Sequence, residues 1–370
     1  MKIVESAYRG RVLNFSIYGG SHEPEIGIRV QGLPMGETVD LARLQAFLDR
    51  RAPGRNAWST ARKEADVPEF SLGLSGSRIA GETLHVVIRN ENTRSGDYAT
   101  LRDVPRPMHA DFTAREKYGE EVNMAGGGPF SARMTAPLCV LGGICLQILE
   151  QSGIFIGAHI AEIGGIADQA FDPVGVSRAD FARIQEKEFP VLDDAAGERI
   201  RARIEAARMD CDSVGGVIEC AAIGLPTGLG GPLFDGMEGA IAHLAFGVPA
   251  VKGIEFGAGF AASQMTGSSH NDSFAIKNGR VVTETNRHGG ILGGITSGMP
   301  LTFRVALKPT PSIAKQQKSV SLSRMEEETL QITGRHDPCV VPRAVCIMEA
   351  ICAIAVLDAL LEGRGDYGTE

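Results

Sequence analysis

The hydrophobic positions of the chain follow two periods, one typical of strands and one typical of helices. Residues 26–32 alternate apolar and polar side chains, as a strand with one buried face does. Residues 38–51 carry apolar side chains at helical spacing, with Asp40 as the N-cap and basic residues at the far end. The same patterns predict further strands at 82–90, 212–224 and 250–257, and helices at 130–153, 194–210, 232–247 and 341–363.

The alternation of strands and helices predicts a layered fold of the α/β or α+β class. The chain shows no linker, no low-complexity segment and no clear short repeat. We therefore expect residues 1–370 to form one compact domain.

Composition excludes several classes of protein. Apolar residues make up 43% of the 370 positions, which is enough for a sizeable core. The net charge of −8 and the lack of a basic run argue against a nucleic-acid partner. The longest apolar stretches are 136–149, which is short for a bilayer span, and 345–361, which contains Glu349 and Asp358. Both predict buried helices of a soluble protein rather than membrane spans.

The seven cysteines are scattered, and none forms a CxxC pair. An odd number without such pairs predicts neither a disulfide framework nor a zinc site, so we expect no metal. The first residues lack an apolar signal segment. These features favour a reducing cytoplasm.

Glycine is unusually frequent, with 46 residues that gather in clusters such as 124–133, 224–236 and 286–300. Glycine clusters allow the backbone to approach a ligand or another backbone closely. Only 6% of the residues are aromatic, so contacts to a ligand should be polar and made in part by the main chain.

Two histidines lie in turn-like contexts where a proton could reach a ligand. His22 lies in GGSHE (19–23) and His109 in RPMHADF (106–112). Pro107 and the turn-forming Asp111 predict a loop at 106–112 rather than a regular helix. Three other histidines fall inside predicted strands or helices and are interpreted as structural: His85, His159 and His243.

Several arginines lie against a proline or glycine stretch, either in a predicted loop or near the end of a predicted helix. Guanidinium groups bind carboxylates and phosphates with two parallel N–H donors. A group of them, together with glycine main-chain donors, predicts a site for a small polyanion. The GGG run at 126–128, ahead of Ser131, has the form of an anion site, but from this feature alone a plain loop is the favoured interpretation. The arginines are Arg50, Arg51, Arg106, Arg133 and Arg335.

Beyond these features, the sequence resembles the chorismate synthase family from about Gly10 to about Leu361. RPMHADFTAREKYG is similar to the family pattern RPxHADYTYxxKYG, and AVKGIEFGAGF is similar to AVKGVEIGxGF. HGGILGGITSG resembles AGGILGGISxG, KPTPSI resembles KPTSSI, and GRHDPCVVPRAV resembles GRHDPCxxxRAV. DSVGG, GLPTGLGGPLFD and RKEAD also correspond, in the order of the family.

The resemblance implies an α+β fold, a single-domain β-α-β sandwich, usually assembled as a homotetramer. It implies anti elimination of phosphate from 5-enolpyruvylshikimate 3-phosphate to give chorismate, which requires reduced FMN although there is no net redox change. NADPH would act as an external reductant. Because the chain carries no flavin-reductase module, the resemblance also implies a separate reductase.

The resemblance assigns roles to particular residues. His22, His109 and Asp337 would be catalytic, with His22 at the leaving phosphate, His109 on the flavin side and Asp337 near the proton lost from the ring. The residues that would bind the substrate are Ser21, Arg51, Arg106, Arg133 and Arg335. Those that would bind a cofactor are Arg51, Arg55, Ser131, Pro249, Ala250, Asn286, Gly293, Lys308, Thr310, Ser312 and Arg335.

The sequence departs from the family pattern at several of these places. The family pattern GESHG reads GGSHE here. Gly20 therefore stands where the family has glutamate, and Glu23 stands where the family has glycine. GGGRSSAR becomes GGGPFSAR, which places Pro129 and Phe130 where the family has groups that face the FMN phosphate. KPTSS becomes KPTPS, so a hydroxyl and an N–H are lost at Pro311. Other departures are Cys211 for glycine, Ala57 for the second arginine of the nicotinamide-linked pair, and added basic residues at Arg287 and His288.

Three hypotheses follow from this mixture. The first is a working chorismate synthase that holds the flavin phosphate differently. The second is a divergent paralogue that retains a polyanion or flavin site with changed lyase chemistry or a non-catalytic binding role. The third is a purely structural oligomer, which would require the arginines to be exposed and unpaired. Retention of both turn histidines with Arg106, Arg335 and Asp337 favours the first.

Overall fold

The computed structural model describes residues 4–54, 64–91, 100–332 and 337–366. Within these ranges the strands are β1 Glu5–Arg9, β2 Asn14–Gly19, β3 Glu25–Gln31, β4 Pro68–Leu72, β5 Leu74–Ser75, β6 Arg78–Ile79, β7 Thr83–Arg89, β8 Phe155–Ile163, β9 Ile166–Ala167, β10 Gly216–Ile223, β11 Val251–Phe256, β12 Phe274–Lys277, β13 Arg280–Thr283, β14 Ile291–Leu292, β15 Ile295–Thr296, β16 Leu301–Leu307, β17 Gln317–Ser321 and β18 Glu326–Leu330. The helices are α1 Leu41–Arg51, α2 Asp111–Tyr118, α3 Thr135–Gln151, α4 Arg178–Gln185, α5 Asp194–Met209, α6 Met237–Gly247, α7 Gly267–His270 and α8 Val341–Asp366.

The first sheet is antiparallel, with strand order β1-β2-β3-β7-β4. Its central strand β3 confirms the strand predicted at 26–32, and Ile28 pairs with Ile17 on one side and Val86 on the other. Ile28 and Val86 are buried while Arg29 is exposed, so the alternation in the sequence marks the face that packs on the core.

The second sheet is also antiparallel, with strand order β11-β16-β10-β8-β9. Its central strand β10 pairs with β16 and β8, for example Cys220 with Phe303 and with Ala158. These three residues are buried. The strands predicted at 212–224 and 250–257 are therefore confirmed as β10 and β11.

Two apolar helices form the layer next to these sheets. Helix α3 packs against strands of both sheets and against α8, which in turn packs against β8, β10, α1 and α6. One buried hydrophobic cluster contains residues of both sheets and both helices. This arrangement confirms the α+β class, while the single domain over residues 1–370 stays a prediction.

Helices α3 and α8 meet at a glycine. A Cβ on Gly142 would overlap the backbone and side chain of Ala350 on α8. The absence of a side chain at Gly142 thus permits the close approach of the two helices. Interiors are packed densely, so this contact fixes the position of α8 along α3.

Two carboxylates on the apolar helix α8 are buried and bonded. Glu349 forms a bidentate ion pair with Arg50 at 2.6 and 2.9 Å and accepts a hydrogen bond from the N–H of Ala158 at 3.2 Å. Asp358 accepts hydrogen bonds from the N–H groups of residues 11–13 at 2.7–2.9 Å. Glu349 therefore links α8 to α1 and β8, and Asp358 links α8 to the β1–β2 turn.

The helix boundaries differ from the sequence prediction at two N-termini. The helix predicted at 130–153 begins as α3 at Thr135, after a 3-10 turn at Ala132–Met134 that the Ser131 side chain caps by accepting from the N–H of Arg133. The helix predicted at 232–247 begins as α6 at Met237, after a 3-10 turn at Leu233–Asp235. In both cases a tight turn occupies the first predicted positions.

The prediction of a loop over residues 106–112 is wrong at its C-terminal end. Residues 106–110 lie outside any helix, but α2 begins at Asp111. A carboxylate in the first helical turn is favoured by the helix dipole, and Pro107 lies upstream of the helix, where it breaks no intrahelical hydrogen bond.

Two helical segments are long and apolar enough to cross a membrane by length and composition alone. They are Ala132–Gln151 and Val341–Gly363. However, 83% and 89% of their apolar windows are buried inside the protein, as expected for core helices.

Substitution of Gly142 by Ala should destabilise the protein. The added methyl group has no room against Ala350, and overpacking of a core contact costs about 1–3 kcal/mol. Gly239→Ala is the matched control because Gly239 is an exposed glycine inside α6 with no close neighbour. It should be neutral or stabilise by up to ~1 kcal/mol. Denaturant unfolding measures the free energy of unfolding of both variants. An equal change in this free energy for the two variants would contradict the close approach of α3 and α8.

Candidate active site

One cavity of about 800 Å³ collects most of the residues that the sequence singled out. Its volume lies in the range of ligand and cofactor sites, roughly 300–1,000 Å³. The predicted residues that line it are His22, Arg51, Arg106, His109, Ser131, Arg133, Pro249, Ala250, Lys308, Thr310, Ser312 and Asp337.

The remaining predicted residues lie elsewhere. Ser21 is buried directly behind His22, with its Oγ 3.1 Å from His22 Nδ1. Asn286 and Gly293 do not line the cavity formed by the described residues. The Asn286 amide instead donates to two backbone carbonyls at 2.8 Å and accepts from the N–H of Gly290, so it holds a glycine-rich turn. Arg55 and Arg335 lie outside the described residues.

Arg106 and Asp111 form a buried, bidentate ion pair at the cavity wall. Arg106 Nε and Nη2 donate to the two oxygens of Asp111, each at 2.7 Å, and Nη1 donates to Ser312 Oγ at 3.1 Å. The fork of Arg106 is thus fixed in direction before any ligand binds. Burial alone would raise the pKa of the Asp111 carboxyl, but the side-chain hydrogen bonds and charges of Arg106 and His109 hold it well below its usual range.

His109 lies beside this pair and shares its carboxylate. Its Nδ1 lies 2.7 Å from Asp111 Oδ1 and 3.0 Å from Arg106 Nη2. Because an ionised carboxylate only accepts hydrogen bonds, we assign the ring proton to Nδ1, which donates to Asp111. Arg106 Nη2 then donates to Asp111 rather than to the ring. Burial lowers the pKa of His109 below its usual 6.5, so the ring is neutral at pH 7. Its Nε2, on the side of Gly127, is then free of a proton.

Arg51 and Arg133 converge on a single carboxylate. Arg51 Nε donates to Asp66 at 3.0 Å, and Arg133 forms an ion pair with the other oxygen of Asp66. Arg133 Nε also donates to Asn90 Oδ1 at 3.0 Å, and Glu64 lies 3.7 Å from its Nη2. All three charged side chains of the Arg51–Asp66–Arg133 group are almost completely buried. Sequence reasoning found both arginines but missed their acidic partners, although RKEAD was among the matching blocks.

Asp337 is positioned by an arginine that the sequence analysis did not single out. Arg343 Nη1 lies 2.5 Å from Asp337 Oδ2, and Arg343 Nε donates to the carbonyl of Arg51 at 3.0 Å. Both Asp337 and Arg343 line the cavity. The signal available in the sequence was the RAV that ends the GRHDPCVVPRAV block.

The GGG run packs directly against the two turn histidines. All three glycines have positive φ angles, between 51° and 96°. A Cβ on Gly126 would overlap the imidazole of His22, and a Cβ on Gly127 would lie 3.3 Å from His109 Nε2. The run therefore gives the histidines room, and this is the physical reason for glycine at these positions.

Two non-glycine residues of the cavity have left-handed backbones. Met108 has φ 59° and Ala250 has φ 77°. Such conformations cost about 1–2 kcal/mol and are concentrated at functional sites. Lys308 helps to hold both residues, since its Nζ donates to the carbonyl of Met108 and its N–H to the carbonyl of Ala250 at 2.9 Å.

The Gly20–Glu23 exchange keeps a carboxylate at the His22 turn. The N–H of Glu23 donates to the carbonyl of Gly20 at 3.1 Å, and Asn90 donates to the carbonyls of both residues. A Cβ on Gly20 would lie 3.4 Å from the Glu23 side chain. The carboxylate of Glu23 thus lies beside the position of the missing side chain, and burial raises its pKa.

Other residues that line the cavity are apolar or basic. Pro129, Phe130 and Tyr118 line it, and the rings of Phe130 and Tyr118 are 6.4 Å apart. Lys252 and Lys308 also line the cavity, and burial together with the nearby Lys252 ammonium lowers the pKa of Lys308. With the arginines and histidines, these side chains define an enzyme site for a small polyanion.

Comparison with known proteins identifies the family. The family model described as chorismate synthase matches residues 13–361. The chain is 46% identical over 362 residues to a chorismate synthase of Lancefieldella parvula, covering 95% of each chain. It is 42% identical over 360 residues to one of Thermococcus kodakarensis, covering 97% of this chain and 99% of the relative. A crystal structure of chorismate synthase superposes with a TM-score of 0.75 and 26% identity, covering 96% of this chain and 94% of the other.

The chain belongs to the chorismate synthase family. Its activity is that of a carbon–oxygen lyase acting on phosphates, the elimination of phosphate from 5-enolpyruvylshikimate 3-phosphate to give chorismate. The comparisons support the first of the three hypotheses drawn from the sequence. The third is contradicted by Arg51, Arg106 and Arg133, which are buried and paired with carboxylates.

Gly126→Ala should displace His22 and lower kcat by about 100-fold, the loss typical of a catalytic group moved by about 1 Å. Gly76→Ala is the matched control. Gly76 has the same φ of 61°, but a Cβ there would meet no atom within 4 Å. Both variants carry a similar backbone cost, about 1–2 kcal/mol, so a difference in kcat between them reports the contact with His22. Equal kcat values would remove His22 from the mechanism.

Asp111→Asn should lower the pKa of His109 further, because the Asp111 carboxylate raises it against the effect of burial. An NMR titration of the ring measures this shift, with Glu205→Gln on the exposed face of α5 as control. In the native protein the folded-state pKa lies below the unfolded value of 6.5. The neutral ring therefore contributes stability that is present above that pH and is lost as pH falls. An unchanged titration in Asp111→Asn would contradict the assigned hydrogen bond.

Proposed function

We propose that the protein forms chorismate in this cavity, with His22, His109 and Asp337 as its catalytic residues. The observation that carries the proposal is that these three side chains line one cavity together with Arg106 and Arg133. The substrate carries two carboxylates and a phosphate, so a site rich in guanidinium groups suits it.

His22 serves the leaving phosphate. Its ring is confined between Ser21 and Gly126, which leaves it one orientation at the cavity wall. A histidine there can donate a proton or a hydrogen bond to a phosphate oxygen as the carbon–oxygen bond breaks.

His109 serves the cofactor side of the cavity. Asp111 holds its proton on Nδ1, and burial keeps the ring neutral at pH 7, so Nε2 is available as an acceptor. Arg106 is held by the same carboxylate and presents a fixed positive charge to the substrate. Orientation and charge are thus in place before binding.

Asp337 takes up the proton lost from the substrate ring. Its carboxylate is held at the cavity wall by Arg343, which itself is anchored to the carbonyl of Arg51. Arg51, Arg133 and Arg335 complete the group of substrate-binding residues that we propose, with Ser21 behind His22.

The cavity fits reduced FMN as the cofactor. Thr310 Oγ1 is buried there without a hydrogen-bond partner among the described residues, as a side chain reserved for a ligand would be. When bound, reduced FMN supplies an electron-rich partner that eases loss of phosphate. We propose that it is bound by Arg51, Ser131, Pro249, Ala250, Lys308, Thr310 and Ser312, all of which line the cavity.

The phosphate of the cofactor requires contacts that Pro129 and Phe130 do not offer. Both side chains lack hydrogen-bond donors. Lys252 and Lys308 lie at the same cavity and suffice to balance a phosphate dianion. We assign the phosphate to this lysine pair. Asn286 and Gly293 take only an indirect part, by shaping the glycine-rich turns of 286–299, and Arg55 remains a predicted contact.

Reduction and assembly follow the family. We infer that NADPH is the external reductant and that a separate flavin reductase delivers reduced FMN. Leu233 and Phe234 support a homotetramer. These two apolar side chains lie on one surface turn and are 90% and 98% exposed, and assembly would bury them. A cytoplasmic location is supported by the seven cysteines, all of which are unpaired.

The test is an anaerobic assay with 5-enolpyruvylshikimate 3-phosphate and photoreduced FMN, in which chorismate absorbance and phosphate release are followed together. We expect equal amounts of both products and no turnover with oxidised FMN. Asp337→Asn and His109→Ala should each lose most turnover. His85→Ala is the matched control, because His85 bonds Tyr18 and Ser71 outside the cavity.

Three results would contradict the proposal. Phosphate release without chorismate would mean that the chemistry has changed. Turnover with NADPH and FMN in the absence of a reductase would show that the chain itself reduces the flavin. Wild-type rates in Asp337→Asn or His109→Ala, with reduced FMN supplied, would remove those residues from the mechanism.

A further inference from the structure

A serine, a histidine and an aspartate are aligned outside the cavity. Ser297 Oγ lies 2.9 Å from His288 Nε2, and His288 Nδ1 lies 2.5 Å from Asp272 Oδ2. None of the three lines the cavity formed by the described residues. The order of contacts is that of a nucleophile, a base and the group that orients the base.

The environment of Asp272 keeps it ionised. Its carboxylate accepts hydrogen bonds from the Thr285 hydroxyl at 2.5 Å and from the N–H groups of Arg287 and His288 at 3.0 and 2.9 Å. These bonds lower its pKa against the opposing effect of burial. The side chains of Asp272 and His288 are 5% and 6% exposed, so water competes little for their contact.

An ionised Asp272 fixes the tautomer of His288. The ring proton lies on Nδ1 and is donated to Asp272, which leaves Nε2 as the acceptor for the Ser297 hydroxyl. This is the arrangement that a general base requires to remove the proton of a serine nucleophile.

The backbone beside Ser297 offers a donor for a developing oxyanion. Gly298 follows the serine, is exposed and has φ 83°. In the described ranges, no atom accepts a hydrogen bond from its N–H. The N–H of the residue after the nucleophile is a recurrent oxyanion donor in serine hydrolases. Ser297 itself is half-buried rather than enclosed, and its neighbour Gly298 is exposed, so the serine lies at the protein surface.

The histidine of this triad is a feature of this chain rather than of the resembled pattern. HGGILGGITSG departs from AGGILGGISxG at its first position, where His288 replaces alanine. The chorismate synthase reaction therefore does not account for it, and a triad is not expected from the family.

We propose that Ser297, His288 and Asp272 form a second, nucleophilic site that hydrolyses small activated carboxylic esters. This goes beyond the proposed function and does not depend on it. Ser297 Oγ bonds to the acyl carbon while its proton passes to His288 Nε2. The carbon–oxygen bond to the alcohol breaks, and the alcohol leaves with that proton. Water then releases the acid and restores the serine, so no further reactant is needed.

The experiment combines hydrolysis of p-nitrophenyl acetate with labelling by a fluorophosphonate, mapped by peptide mass spectrometry. We expect labelling at Ser297 in the wild-type protein. Ser297→Ala should abolish it and reduce hydrolysis to the background rate. His288→Ala, which restores the residue of the family pattern, should reduce the rate of labelling and the rate of hydrolysis on the order of 100-fold each. Ser268→Ala, at an exposed serine outside the triad, is the matched control and should change neither.

A second variant separates catalysis from structure. In Ser297→Cys the thiol should react with iodoacetamide faster than in the double variant Ser297→Cys/His288→Ala, because the imidazole assists its deprotonation. The proposal is overturned by labelling that is absent from Ser297 or spread equally over other serines, by unchanged hydrolysis in Ser297→Ala, or by equal alkylation rates in the two cysteine variants.

Discussion

Two carboxylates buried on one apolar helix hold the layers of this fold in register. Glu349 joins α8 to α1 through Arg50 and to the second sheet through the N–H of Ala158. Asp358 joins the same helix to the β1–β2 turn of the first sheet. A charge in an apolar interior is tolerated only when it is paired, and loss of one partner costs about 3–5 kcal/mol. The positions of both sheets are therefore tied to α8, and so is the cavity wall that its first turn carries.

Buried ion pairs also fix the side chains of the cavity. Asp66 gathers Arg51 and Arg133, Asp111 orients Arg106 and His109, and Arg343 orients Asp337. Side chains that are fixed before binding lose little entropy when a ligand arrives. The conformational entropy of these side chains is lost when the chain folds rather than when the ligand binds. The glycines at 126–128 provide the space that the two histidines require.

Much of the fold and of the contents of the cavity could be predicted from the sequence, but the pairing of the arginines with their carboxylates could not. The alternation at 26–32, the Asp40 cap and the apolar helices follow from local periodicity, and the structure confirms them. Turn histidines and arginines beside glycine predicted the contents of the cavity. The pairing of Arg51 and Arg133 with Asp66 could not be predicted from local patterns, because Asp66 reaches Arg133 across 67 positions. The start of α2 at Asp111 was missed since a turn former and a first-turn acid are the same residue type.

We propose that the reaction takes place in the cavity between the first turn of α8 and the turns that carry His22 and His109. The most direct measurement is a crystal structure of the protein with oxidised FMN and 5-enolpyruvylshikimate 3-phosphate. We predict that the substrate lies in the cavity, with its phosphate within hydrogen-bond distance of His22 and its ring facing Asp337. A substrate bound elsewhere, or held with its phosphate remote from both turn histidines, would contradict the account.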